Sequence, residues 1–281
     1  MTAPARKPPY LHITLFLLTC MSTTVAGALQ QGVDIFSQPA RVVEGIPFAA
    51  TLMLILMSHE LSHYFASRLH NTVATLPYFI PAPSFIGTFG AFIKMKTAIA
   101  DRRSLVDIGA SGPIVGFLFS CVAAVAGLTM SKVVPTGGIK AGLTLGDSLL
   151  FTGLSRMILG RVPEGFDVLL HPVAFAGWIG FFVTSLNLLP IGQLDGGHVA
   201  FAMFGKRHRQ LSIGLVVALG ILGYYYWPGW AVWAVLMLFL GIGHTPVADW
   251  EPELPVSRKI AGWAAFAIFV LTFTPIPFSD F

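Results

Sequence analysis

The stretch Ser58-His59-Glu60-Leu61-Ser62-His63 carries the pattern His-Glu-x-x-His. Two histidines four positions apart lie on one face of a helix, about 6 Å apart along its axis, so both imidazoles can reach one metal ion. Glu60 sits beside such an ion rather than on it, placed to take a proton from a water molecule held there. With 8 histidines and 5 glutamates in 281 residues, the pattern is expected by chance about 0.004 times. Glu60 is also the only acidic residue between Glu44 and Asp101, in a run of Leu, Met and Ala. An ionisable group in such a run is costly and marks a functional site. The bland alternative is two histidines at a helix interface beside a neutral Glu.

Zinc sites that do chemistry use three protein ligands and leave a fourth position open. The third must come from elsewhere, and Asp107, His171, Asp195, His198 and His244 lie in or near apolar runs. Asp195 stands out in Asn187-Leu188-Leu189-Pro190-Ile191-Gly192-Gln193-Leu194-Asp195-Gly196-Gly197-His198. Pro190 and Gly192 interrupt a helix there, and backbone freed at membrane depth is tolerated only where it lines a cavity or is buried in protein. Two neutral histidines, one carboxylate and Zn²⁺ sum to +1, a charge that acidifies bound water. The alternative for Asp195 is a helix cap for the segment starting at Gly196.

The elements that must position these residues are membrane helices. The chain is 55% apolar and 11% charged, with a mean hydropathy of +0.75, against roughly 25% charged in a soluble domain. No charged residue falls between Lys7 and Asp34, Asp107 and Lys132, Asp167 and Asp195, Arg209 and Asp249, or Lys259 and Asp280. Spans are expected at about 10–29, 46–69, 107–130, 169–190, 210–227, 229–245 and 259–276. The fold class is therefore an all-α polytopic membrane protein with six or seven transmembrane helices. The count depends on the first segment, which imitates a secretory leader but continues to spanning length. The net charge of +4 comes from short basic clusters beside apolar runs, which excludes a nucleic-acid partner. Cys20 and Cys121 sit in apolar segments as small hydrophobes.

Basic residues stay cytoplasmic. With the amino terminus inside, the inner segments carry Arg6, Lys7, Arg68, Lys94, Lys96, Arg102, Arg103, Lys206, Arg207, Arg209, Arg258 and Lys259, and the outer ones Arg41, Lys132, Lys140, Arg156 and Arg161. His63 and Asp195 then both face the cytoplasmic third of the bilayer. Pro77, Pro81, Pro83, Gly87 and Gly90, followed by the alternating run Phe92 to Lys96, read as a β-hairpin or loop on the cytoplasmic face. Residues 131–166 read as an outer loop with an interfacial helix over 149–159.

The pair His59 to His63 and Asn187 to His198, both in apolar surroundings, resembles the site-2 protease family of intramembrane zinc metalloproteases. Gly109-Ala110-Ser111-Gly112-Pro113 matches that family's Gly-Pro element, so the likeness covers about residues 46–205. The resemblance implies a single metalloprotease domain over 1–281, with a three-helix catalytic core at about 46–205 and accessory helices at about 10–29 and 210–276. It also implies His59, His63 and Asp195 as ligands of one Zn²⁺ per chain, Glu60 as catalytic base and Asn187 as a polar group near the reacting atoms. The segment Gly87 to Thr97 resembles the family's re-entrant β-loop, most like the plastid and cyanobacterial branch. A substrate helix must unwind before attack, and the expected edge strand over 91–97 can accept it through Ala91, Ile93 and Met95 by strand addition. The implied partners are a single-span membrane protein substrate and the lipid bilayer. The implied location is a bacterial inner membrane with the site toward the cytoplasm.

The rival from another class is a transporter or channel with an intramembrane ion site, which gives no reason for a Glu directly after the first His. A chamber-type membrane zinc protease would need a second Glu ligand, and no suitable one exists. His198 can orient a ligand from outside the metal's own contacts. His171 reads as structural and His244 as interfacial. Lys206-Arg207-His208-Arg209 reads as a cytoplasmic anchor, and Tyr224 to Trp230 as an outer helical turn with an aromatic belt.

Overall fold

A computed structural model describes residues 9–136, 143–244, 247, 249–251 and 253–280. Arg6, Lys7 and Lys140 of the charge tally lie outside them. The chain is mostly helical. Helix α1 spans Tyr10–Gln30; a 3₁₀ turn over Pro39–Gly45 leads into α2, Ile46–Leu69, which carries the His-Glu-x-x-His run. Then come α3 (Arg102–Thr129), α4 (Leu149–Leu159), α5 (Pro172–Asn187), α6 (Asp195–Phe204), α7 (His208–Tyr225), α8 (Pro228–Leu240) and α9 (Val256–Thr272). Each expected span thus contains a helix. Among the described residues, the helices long and apolar enough to cross a membrane are Tyr10–Gln30, Pro39–Leu69 and Arg102–Thr129.

Helix ends follow local chemistry. Asp101 caps α3, its carboxylate accepting from the Ser104 N–H at 2.8 Å and the Ser104 hydroxyl at 2.7 Å. Burial pushes that carboxyl up, but the Ser104 bonds together with the Arg103 N–H and the nearby His70 hold it below the usual carboxylate range. His171 caps α5, with Pro172 in the first helical position, where its missing N–H costs nothing. Gly241, at φ 98°, ends α8 earlier than expected, before His244.

Helices α2, α3 and α5 form the centre. A side chain at Gly127 or Gly177 would collide with the α5 or α3 backbone, at Ala174 and Ala124 respectively. Small residues at that seam let the backbones approach closely, as packing between apolar helices requires. The core around it buries Phe48, Leu52, Trp178, Phe181 and Trp230. Trp230, expected in an interfacial belt, is instead fully buried and donates to the Pro275 carbonyl at 2.7 Å, whereas Tyr224 and Tyr225 are exposed.

Strands β1 (Tyr78–Pro81) and β2 (Thr88–Phe92) form an antiparallel hairpin with Tyr78 opposite Phe92 and Phe79 opposite Ala91. Ala91 lies on β2, but the edge strand expected over 91–97 ends at Phe92, so Ile93 and Met95 fall beyond it. The ladder breaks because the Lys94 N–H goes to the Thr75 hydroxyl at 3.0 Å, and Met95 keeps a single bridge to Ala74. The hairpin is also not confined to one end of the helices. His12 Nδ1 lies 3.1 Å from the Pro77 carbonyl, the Ser22 hydroxyl donates to the Gly87 carbonyl at 2.6 Å, and Gln30 Nε2 donates to the Phe85 carbonyl at 2.6 Å. From His12 to Gln30 is about 27 Å of helix, so the hairpin runs along nearly all of α1. The α1 donors add to the hairpin's own pairing, since the Gly87 carbonyl also accepts from the Ala82 N–H at 3.0 Å.

The stretch expected as an outer loop contains α4 with the expected bounds, but also strands β3 (Lys132–Pro135) and β4 (Leu143–Leu145), and β5 (Phe166–Leu169) starts at its last residue. Strand β3 pairs with β5, and β4 pairs with β6 (Phe278–Asp280), all antiparallel.

Candidate metal centre

The metal-binding pattern lies two-thirds of the way along α2, where His59, Glu60 and His63 are all about 5% exposed or less. Opposite them, α5 ends at Asn187, and the chain turns through Pro190 and Gly192 (φ 55°) to start α6 at Asp195. Asp195 does not cap that helix: Leu194 holds the cap position, with no side-chain cap bond. Its carboxylate points across to α2 instead.

Three ligand atoms from two helices converge. His63 Nε2 lies 3.1 Å from His59 Nε2 and 3.1 Å from Asp195 Oδ2, and His59 Nε2 lies 3.3 Å from the same oxygen. A tetrahedral zinc with bonds of about 2.0–2.1 Å sets its ligand atoms about 3.3–3.4 Å apart. His63 Nδ1 donates to the Ile108 carbonyl at 2.8 Å, which fixes the tautomer and leaves a lone pair on Nε2. Two imidazole nitrogens facing one another beside a carboxylate is a donor set that suits a cation. Among the described residues, this is the group of His, Cys, Asp and Glu that could hold a metal ion.

The other candidate ligands are engaged elsewhere. Asp107 accepts from Arg258 Nη2 at 2.8 Å and lies 3.0 Å from His70 Nε2. His171 caps α5. His198 Nδ1 lies 2.6 Å from His244 Nε2. Beyond the end of α8, the His244 ring also stacks on Phe201, at 4.3 Å between centroids. His208, placed by sequence in a basic anchor, is 1% exposed and lies 3.3 Å from the Ser212 hydroxyl.

The Asn187 side-chain amide is 3.3 Å from His59 Nε2. Glu60 lies beside His59, His63 and Asp195, with the Ile93 backbone N–H on the side of its carboxylate. Ile93 thus touches the site through its backbone rather than as a strand residue. Ala91 sits on β2, and the Met95 sulfur accepts from the Ser67 hydroxyl of α2 at 3.5 Å.

The Gly-Pro element stands out in the sequence only by likeness, and the structure shows why it matters. A Cβ on Gly112 would overlap the His63 imidazole, and one on Gly116 would lie 3.0 Å from His59 Nδ1. Helix α3 closes the back of the site with hydrogen where any other residue has carbon. Gly112→Ala is expected to keep its helical circular dichroism but to lose zinc affinity by about 10- to 100-fold, the range seen when a ligand's supporting contacts are disturbed. Chelator competition on purified protein measures it.

The chain belongs to peptidase family M50, whose family model matches residues 47–222. It is 29% identical over 240 residues to the probable zinc metalloprotease EGY2, chloroplastic, of Arabidopsis thaliana, covering 84% of this chain and 43% of that protein. It is 32% identical over 256 residues to the probable zinc metalloprotease EGY1, chloroplastic, of Oryza sativa subsp. japonica, covering 85% of this chain and 42% of that one. The chain thus spans less than half the length of these relatives. No solved structure matches it.

Proposed function

We propose that this chain is an intramembrane zinc metalloprotease of the site-2 type that hydrolyses a peptide bond within or near the transmembrane helix of a single-span substrate. The observation that carries the reading is the convergence of His59, His63 and Asp195 to within 3.1–3.3 Å, with Glu60 buried beside them. Membership of a peptidase family supports it and gives the transporter reading no foothold.

His59, His63 and Asp195 would hold the zinc, which when bound polarises a carbonyl and acidifies water. Glu60 takes the proton of the attacking water and passes it to the leaving amine. The Asn187 amide, beside His59, donates to the developing oxyanion or positions the substrate. The free edge of β2 pairs with the unwound substrate, and Ala91 and the backbone at Ile93 bring it to Glu60, with Met95 at the end of the run. The lipid bilayer delivers substrate sideways to that edge.

The same reading takes α1, α2 with its 3₁₀ lead, α3, α5, α7, α8 and α9 as six or seven spans of a single domain in a bacterial inner membrane. The amino terminus and site face the cytoplasm. Support for the orientation comes from Arg68 at the end of α2, Arg102 at the start of α3 and Arg258 and Lys259 at the start of α9, ends that Asp107 joins through His70 and Arg258. Purified protein is expected to hold about one zinc per chain and to cut members of a single-span substrate panel. Chelation should abolish cutting, and added zinc should restore it. Zinc-free protein that cuts at the full rate would end the proposal.

A further inference from the structure

The start of α6 is where the third ligand sits, yet that helix has no side-chain cap to hold its first turn. Helix α3 and the 188–192 turn pack against it, and a further contact comes from beyond residue 222, outside the family match. After α8 the chain doubles back on the turn that delivers Asp195, so closely that a Cβ on Gly192 would strike the Gly241 carbonyl. Three residues later His244 Nε2 meets His198 Nδ1 at 2.6 Å. One nitrogen must donate and the other accept, so the pair shares a single short hydrogen bond. The His244 ring lies flat on Phe201 of α6, at 4.3 Å and 7°, with the His208 ring edge-on at 6.0 Å. On its other side, His198 Cβ packs against α3, where a Cβ on Gly109 would lie 2.9 Å from it and 3.0 Å from the Asp195 carbonyl oxygen.

We infer that His244 is a positioning residue for the metal centre: by bonding His198, one turn along α6 from Asp195, it fixes the first turn of α6 and so the direction of the Asp195 carboxylate. This rests on the zinc reading above. His244 is not among the converging ligand atoms, and its effect passes through His198.

Three variants separate the hydrogen bond from the packing. His244→Phe keeps a ring on Phe201 but cannot bond His198, His244→Gln keeps an amide able to bond, and His244→Ala removes both. Full-length protein in detergent is assayed for zinc affinity by chelator competition, for unfolding temperature, and for kcat and KM on a cleavable single-span substrate. The Phe variant is expected to unfold near the wild-type temperature but to bind zinc about 10- to 100-fold more weakly. Its kcat should fall at limiting zinc while KM holds, and the Gln variant should recover most of the affinity. If the Phe variant binds zinc as wild type does, or if Gln is no better than Phe, the inference is overturned. Should Ala fail to fold, the comparison of Phe with Gln still decides. Wild-type protein that binds no zinc would instead sink the function proposed above.

Discussion

Glu60→Gln is expected to retain about one zinc per chain and to lose cleavage by at least about 10³-fold, within the range general acid–base groups contribute. The split follows from geometry. Glu60 is not among the three converging atoms, so replacing its carboxylate with an amide leaves the donor set intact. The amide has nearly the same shape, so packing beside His59 and under the Ile93 N–H is kept. What disappears is the ability to take a proton and hand it on. Zinc quantification, together with single-turnover cleavage of a single-span substrate, checks both halves. A Gln variant cutting at the wild-type rate would remove Glu60 from the mechanism, and ion-flux assays would then be the informative next step.

Asp195→Ala should do the opposite, losing metal and cleavage together. Its Oδ2 lies within 3.1–3.3 Å of both imidazole nitrogens, so the substitution leaves two facing lone pairs with neither the third donor nor the negative charge that offsets the ion. Zinc affinity is expected to fall by more than about 100-fold, beyond the loss typical of an outer partner. Because Asp195 caps nothing, the alanine should leave α6 formed, and helical circular dichroism should match wild type. A variant that keeps full zinc occupancy would show that another group completes the site.

Much of this is legible in the sequence, for identifiable reasons. The His-Glu-x-x-His spacing needs only helical periodicity to place two imidazoles together, and α2 has the expected bounds, Ile46–Leu69. Asp195 is legible because Pro190 and Gly192 break an apolar run just before an acid. Other features depend on partners far away in the chain. Strands β3 to β6 are three or four residues long, and β4 finds β6 more than 130 positions later, a pairing no local pattern encodes. The end of β2 departs from expectation because the Phe92 to Lys96 alternation is genuine but a Thr75 hydroxyl intercepts the ladder. His244 reads as interfacial in sequence because nothing near it hints at Phe201 and His198. Gly112 stands out only by likeness, since the imidazole that forbids a side chain there belongs to another helix.

The bonds from α1 to the hairpin bear on biogenesis. Helix α1 is made before the hairpin, so the His12, Ser22 and Gln30 donors are already in place when the Pro77, Gly87 and Phe85 carbonyls arrive. A chain trimmed of α1 after insertion would take the donors from the Pro77 and Phe85 carbonyls, leave Gly87 only its Ala82 N–H, and loosen the edge on which substrate is proposed to lie. The first helix is thus a working part of the protein, and its removal would cost more than an anchor.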